Sequence, residues 1–163
     1  INVFNILIYI FAIIGFYNFF TGKIRLGDCG SYFIGFLTGG LLIYIYKTYN
    51  LNALYIASLL AFPITELLYS YIRRIISGKS PFEPDQKHLH SLIYINLLEV
   101  DFLKNRLSME NINRISSLLI IVFQIIAQSI IYILPNENFY YLVFIIFNTI
   151  IYLFTHTFLI RKI

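Results

Sequence analysis

"ISSLLIIVFQIIAQSIIYILPNENFYYLVFIIFNTIIYLFTHTFLI", residues 115 to 160, contains two long apolar runs separated by Pro135, Asn136 and Glu137. Each run matches the ~20 apolar residues that a helix needs to cross the hydrocarbon core of a bilayer. Neither alternates apolar with polar residues, as a barrel strand would, so both read as helices. Proline followed by two polar residues marks a tight turn. The stretch therefore reads as a transmembrane helical hairpin, Ile115 to Leu134 and Phe139 to Ile160.

The same pattern recurs upstream at about residues 1–20, 32–46 and 51–72. The expectation is an all-α, polytopic integral membrane protein with about five transmembrane helices. Residues 1–163 are expected to be the C-terminal half of one multi-pass domain, with a polar loop at about 73–114. The second span is short unless its first turn begins near Gly30. Composition agrees, because 59% of residues are apolar and only 12% charged, where soluble domains carry about a quarter. The net charge of +4 is too small and too scattered to be a nucleic-acid footprint. One cysteine, Cys29, excludes an internal disulfide and reads as a small filler. There is no cleavable signal pattern. The chain opens on Ile1 inside an apolar stretch, so it is expected to be a fragment lacking an N-terminal part.

Five spans define two faces. Eleven of the twelve cations (all but Lys47) fall on one of them: Lys23, Arg25, Arg73, Arg74, Lys79, Lys87, Lys104, Arg106, Arg114, Arg161 and Lys162. That asymmetry makes this face cytoplasmic, with the first residue outside and the C-terminus inside. Tyr17, Phe19, Phe20, Tyr44, Tyr46, Tyr49, Tyr140 and Tyr141 suit interfacial belts. Within the long loop, "SLIYINLLEVDFLKNRL" (residues 91–107) carries apolar residues at helical spacing. It reads as a helix lying on the membrane surface or packing under the bundle.

Polar chemistry concentrates on the cytoplasmic face. In "KIRLGDCGSYFIGF", residues 23–36, Gly27 and Gly30 flank Asp28 at the cytoplasmic start of a span. Glycines let a ligand approach the backbone, and a helix N-terminus presents unpaired N–H groups to phosphate oxygens. A carboxylate beside such a seat suits Mg²⁺, which takes one or two carboxylates plus substrate phosphates. Spacing alone favours the plainer reading of Asp28 as the N-cap of the span, with Ser31 in its first turn.

The second polar stretch is "RRIISGKSPFEPDQKHLHSL", residues 73–92, where Gly78, Pro81 and Pro84 indicate an ordered loop rather than a helix. His88 and His90 are a weak metal pair, since residues two apart diverge on a strand and converge only in a bent loop. They suit hydrogen bonding to a phosphate or a uracil ring better. Glu66 is an intramembrane carboxylate, which needs a partner or a watery cavity. It is expected to face the bundle interior and support the Arg73/Arg74 end of the loop. His156 reads as a satisfied helix histidine, and Lys47 and Glu137 as outer-face charges.

Taken together, the two stretches resemble the polyprenyl-phosphate N-acetylhexosamine-1-phosphate transferases, a family of membrane enzymes. The resemblance rests on Gly27-Asp28-Cys29-Gly30-Ser31 and on the acidic span "FPITELLYSYIRR" (Phe62 to Arg74). It also rests on Ser80-Pro81-Phe82-Glu83-Pro84-Asp85-Gln86-Lys87-His88-Leu89-His90. Order, spacing and sidedness agree over residues 21–95, as in the C-terminal half of the family.

The resemblance implies transfer of HexNAc-1-phosphate from a UDP-N-acetylhexosamine such as UDP-GlcNAc to a polyprenyl phosphate such as undecaprenyl phosphate. UMP is released on the cytoplasmic face of the inner membrane, and a cell-envelope glycan is initiated. It further implies that Asp28 coordinates Mg²⁺, or Mn²⁺ in its place, at the diphosphate. Substrate binding falls to His88 and His90, with Arg73, Arg74 and Lys87 offsetting anionic charge and Gly30 and Ser31 beside the phosphates. Glu66 and Asp85 are supporting residues.

Two features depart from the pattern. Ser91 stands where many members have a further histidine, and no adjacent acidic pair occurs anywhere, whereas the family's N-terminal half carries one. The partners implied are the two substrates, the bilayer, a missing N-terminal half and, as an assembly, a homodimer. The alternative is a non-catalytic membrane fragment or partner-dependent half-protein. A small-anion transporter would need paired internal repeats, which the sequence does not show.

Overall fold

The computed structural model describes residues 3–21, 27–80 and 87–162. All the regular elements among these are helices. The chain divides into two compact units, residues 1–51 and 52–163.

The first unit contains α1 (Val3–Thr21) and α2 (Gly27–Thr48). Helix α2 begins earlier than the expected span at 32–46, because "GDCGS" is itself the first turn rather than a lead-in. Gly27 makes this start feasible with φ +60°, a left-handed conformation that strains any side chain. Large side chains on both helices, among them Phe16, Tyr32 and Phe36, remain exposed within the unit.

The second unit contains α3 (Ala53–Leu59), α4 (Ala61–Ile76), α5 (Leu89–Leu98), α6 (Asp101–Arg106), α7 (Met109–Ile133) and α8 (Asn138–Ile160). Helices α7 and α8 form the expected hairpin, turned at Pro135 with Glu137 N–H donating to its carbonyl at 2.7 Å. The core at the end beside the α7–α8 turn joins Ala61, Ala127, Ile131, Tyr141 and Phe144. Asn52 fixes that end twice over. Its Oδ1 accepts from Leu54 N–H at 2.9 Å and starts α3, while its Nδ2 donates to Asn138 Oδ1 at 2.7 Å.

The expected span at 51–72 is not one straight helix. Helices α3 and α4 meet at Leu60 with a bend of 67°. Pro63 supplies the reason: it has no N–H for the carbonyl of Leu59, four residues back, and its ring crowds that carbonyl. An orphaned carbonyl inside a membrane is costly, and Gln128 Nε2 of α7 donates to it at 3.0 Å. Three helices among the described residues are long and apolar enough to cross a membrane, or four if the bent pair is one span. Five spans are not shown among the described residues.

Helix α4 also shows why this unit suits lipid. It buries Ala61, Thr65 and Ser70, while Leu67, Leu68, Ile72 and Ile76 face outward. Small residues allow close helix approach where the surroundings are as apolar as leucine. On α8 the inward stripe runs Tyr141, Phe144, Asn148, Tyr152 and His156, at three- and four-residue steps. The loop helix expected near residues 91–107 is split into α5 and α6, and α5 packs against α7 and α8. Asn96 Nδ2 ties it there, donating to Leu92 O at 2.9 Å and to Leu159 O at 3.2 Å.

Candidate functional site

The loop expected to run from Arg73 to Leu92 is helical at both ends. Helix α4 continues to Ile76, and α5 begins at Leu89 with His88 as its N-cap. His88 has extended backbone angles, φ −70° and ψ 152°, and its side chain makes no capping bond. Glu66 of α4 does that work instead. Its Oε1 accepts from Leu89 N–H at 3.2 Å, serving one of the N–H groups that a helix start leaves open.

The same carboxylate oxygen lies 2.9 Å from His88 Nδ1. A carboxylate only accepts, so Nδ1 carries the proton and the ring's other nitrogen, Nε2, is left for another partner. Ser70 Oγ stands 3.5 Å from the same Nδ1. Glu66, Ser70 and Arg73 share one face of α4, at steps of four and three residues. That spacing is why one helix serves the whole loop junction. Glu66 thus holds the His88 end of the loop.

Arg73 turns toward the chain just before His88, with Nη1 donating to the Lys87 carbonyl at 3.0 Å. Its guanidinium also lies over the Tyr69 ring at 5.7 Å. Arg74 is half-buried in the last turn of α4, where a cation suits the negative end of the helix dipole. The Lys87 side chain is exposed.

The two histidines do converge, through the step from cap to first turn. Their rings stack at 5.9 Å between centroids, 11° from parallel. His90 is exposed at the surface and its Nε2 lies 3.2 Å from Ser91 Oγ, the position of the family's further histidine. Desolvation on its packed flank and then the His88 ring hold His90 below the usual imidazole range, with Glu66 opposing them.

His156 of α8 is fully buried, and its Nε2 lies 3.0 Å from the Lys87 carbonyl. The sequence reading missed this reach to the loop. The available signal was a polar ring near the C-terminal end of an otherwise apolar span.

The other expected site residues belong to the first unit or lie outside the described residues. Asp28 has its backbone in the first turn of α2, and its side chain lies outside the description. Gly30 and Ser31 follow in that turn, where Ser31 Oγ donates to Gly27 O at 2.9 Å. Asp85, with the rest of 81–86, and Lys23 and Arg25 lie outside the described residues. Among the described residues, no group of three or more His, Cys, Asp or Glu side chains could hold a metal ion.

Comparison with known proteins adds the following. No family model matches the chain, and no solved structure matches it. It is 35% identical over 83 residues to the undecaprenyl-phosphate alpha-N-acetylglucosaminyl 1-phosphate transferase of Thermotoga maritima. A Bacillus subtilis protein, described as a probable undecaprenyl-phosphate N-acetylglucosaminyl 1-phosphate transferase, is 38% identical over 77 residues. The Escherichia coli (strain K12) transferase is 34% identical over 73 residues. These matches cover 49%, 46% and 44% of this chain but only 27%, 22% and 20% of the relatives. Over 73 to 83 residues, the chain is homologous to part of the undecaprenyl-phosphate N-acetylglucosaminyl 1-phosphate transferases.

Proposed function

We propose that this chain supplies part of a membrane enzyme that transfers HexNAc-1-phosphate from a UDP-N-acetylhexosamine to a polyprenyl phosphate at the cytoplasmic face. A phosphate oxygen of the acceptor attacks the phosphorus that bears the sugar. The bond from that phosphorus to the UMP oxygen breaks, and UMP leaves. Such transfers depend mainly on positioning and charge neutralisation. The observation that carries the reading is the Glu66–His88 junction, where a carboxylate fixes an imidazole and the helix start beside it. The partial homology supports the same chemistry.

In this reading His88 and His90 bind the nucleotide-sugar, and Arg73, Arg74 and Lys87 offset its charge. Asp28 offers one carboxylate at the first turn of a helix, a donor type that suits Mg²⁺ alongside substrate phosphates. Bound there, the ion would supply charge stabilisation at the transferring phosphoryl group. The test is Mg²⁺-dependent UMP release from UDP-GlcNAc by membranes carrying the full-length gene product. UMP release unchanged by Asp28→Asn would remove Asp28 from the reaction.

A further inference from the structure

We infer that His156 is a positioning residue for His88, acting from α8 through the backbone carbonyl of Lys87. The inference rests on the proposed role of His88 in substrate binding and extends it to a helix that the motifs do not include.

The geometry starts from one acceptor. The Lys87 carbonyl receives Arg73 Nη1 at 3.0 Å and lies 3.0 Å from His156 Nε2. A carbonyl only accepts, so the histidine must carry its proton on Nε2, and the two donors use both lone pairs of that oxygen. The 3.4 Å approach between Arg73 Nη1 and His156 Nε2 follows, because both converge on one atom.

The two donors differ in stiffness. Arg73 reaches the carbonyl on a long side chain with many rotamers. His156 is fully buried, packed edge-on to Tyr69 at 4.6 Å and against Tyr152 at 5.9 Å. A ring so enclosed has little rotational freedom, which makes it the rigid member of the pair.

The clamped carbonyl belongs to the peptide that joins Lys87 to His88. Its plane sets the direction in which His88 leaves the chain. On the following peptide, Leu89 N–H is held by Glu66, which also holds the His88 ring. His88 is thus gripped on both sides, by α4 and α8 before it and by α4 after it. Without His156, the Lys87 carbonyl loses the rigid one of these two donors.

The experiment is a double-mutant cycle for UMP release in membranes carrying the full-length product, with His156→Phe and His88→Asn alone and combined. The Phe variant keeps a planar ring but loses the donor. The expected result is a loss of about tenfold or more from His156→Phe, mostly as a higher KM for UDP-GlcNAc. The double variant should be no worse than His88→Asn alone, because the first residue acts through the second. His156→Gln, whose amide can still donate to the carbonyl, should restore activity to within about threefold. Additive losses, or a Gln variant as impaired as Phe, would overturn the inference.

A second readout does not depend on activity. In ¹⁵N imidazole spectra of the purified protein, the His88 Nδ1–H signal should weaken or broaden in His156→Phe and persist in His156→Gln. An unchanged signal in the Phe variant would also overturn the inference. If the Phe variant fails to fold, His156→Asn, too short to reach the carbonyl, takes its place in both readouts. If His88→Asn leaves UMP release unchanged, the catalytic reading fails, and the spectra alone decide the positioning role.

Discussion

His88 Nδ1 lies 2.9 Å from Glu66 Oε1, and that oxygen also accepts the N–H of Leu89 at 3.2 Å. One carboxylate therefore sets the tautomer of an imidazole and starts the helix that follows it. Both partners are only partly exposed, His88 at 32% and Glu66 at 19%, so solvent weakens the pair without replacing it.

Glu66→Ala should cut UMP release and destabilise the loop junction. It leaves Leu89 N–H without its acceptor, a cost of about 1–3 kcal/mol for a buried donor. Glu66→Gln keeps an acceptor oxygen without the charge and should fall between wild type and Ala in both respects. Thermal unfolding and UMP release, measured on the same membrane preparations, check the order.

His90 should titrate below the ordinary imidazole value of about 6.5, which NMR of its ring can follow. Below about pH 6.5 the unfolded chain then holds more protons at this site than the folded one. The contribution of His90 to stability is therefore present above that pH and lost as pH falls through its lower folded value. Glu66→Gln should lower the His90 value further, since Glu66 opposes the depression, and His88→Asn should raise it. Opposite shifts in these two variants would contradict the assigned causes.

Asp28→Asn should lower UMP release by about 100-fold or more, the scale expected when several kcal/mol of charge stabilisation is lost. Removing divalent cations with a chelator should do the same to wild type and add little to the variant. A variant as sensitive to the chelator as wild type would show that the metal is held without Asp28.

Gln128→Ala should destabilise the second unit by about 1 kcal/mol, the usual size of a hydrogen bond between membrane helices. It strands the Leu59 carbonyl that Pro63 cannot serve. Pro63→Ala restores an N–H four residues on, so Gln128→Ala should cost less in that background. Unfolding in detergent, measured around this cycle, reads the coupling directly.

Much of the architecture was legible along the chain. The α7–α8 hairpin and its turn at Pro135 follow from local hydropathy and one proline, which need no knowledge of neighbours. The helix start at "GDCGS" was readable for the same reason, although its first turn begins at Gly27 rather than just beyond the motif. The order of the motif residues was also plain, and the partial homology supports their resemblance to a known family.

The site contacts depend instead on which helix faces which, and no local pattern carries that. Pro63 was visible, but the break of 67° at Leu60 and its rescue by Gln128 appear only once α7 lies alongside. Glu66 was visible as an intramembrane carboxylate, but its bond to His88 and its service to the start of α5 appear only with packing. His156 reads along the chain only as a helix histidine, and the stripe of α8 brings it to the Lys87 carbonyl, sixty-nine residues back along the chain. The sequence by itself determined an all-helical membrane chain and the residue types its chemistry would use. The tertiary structure decided their partners, because a buried donor or acceptor in an apolar setting takes whichever neighbour packing brings within reach.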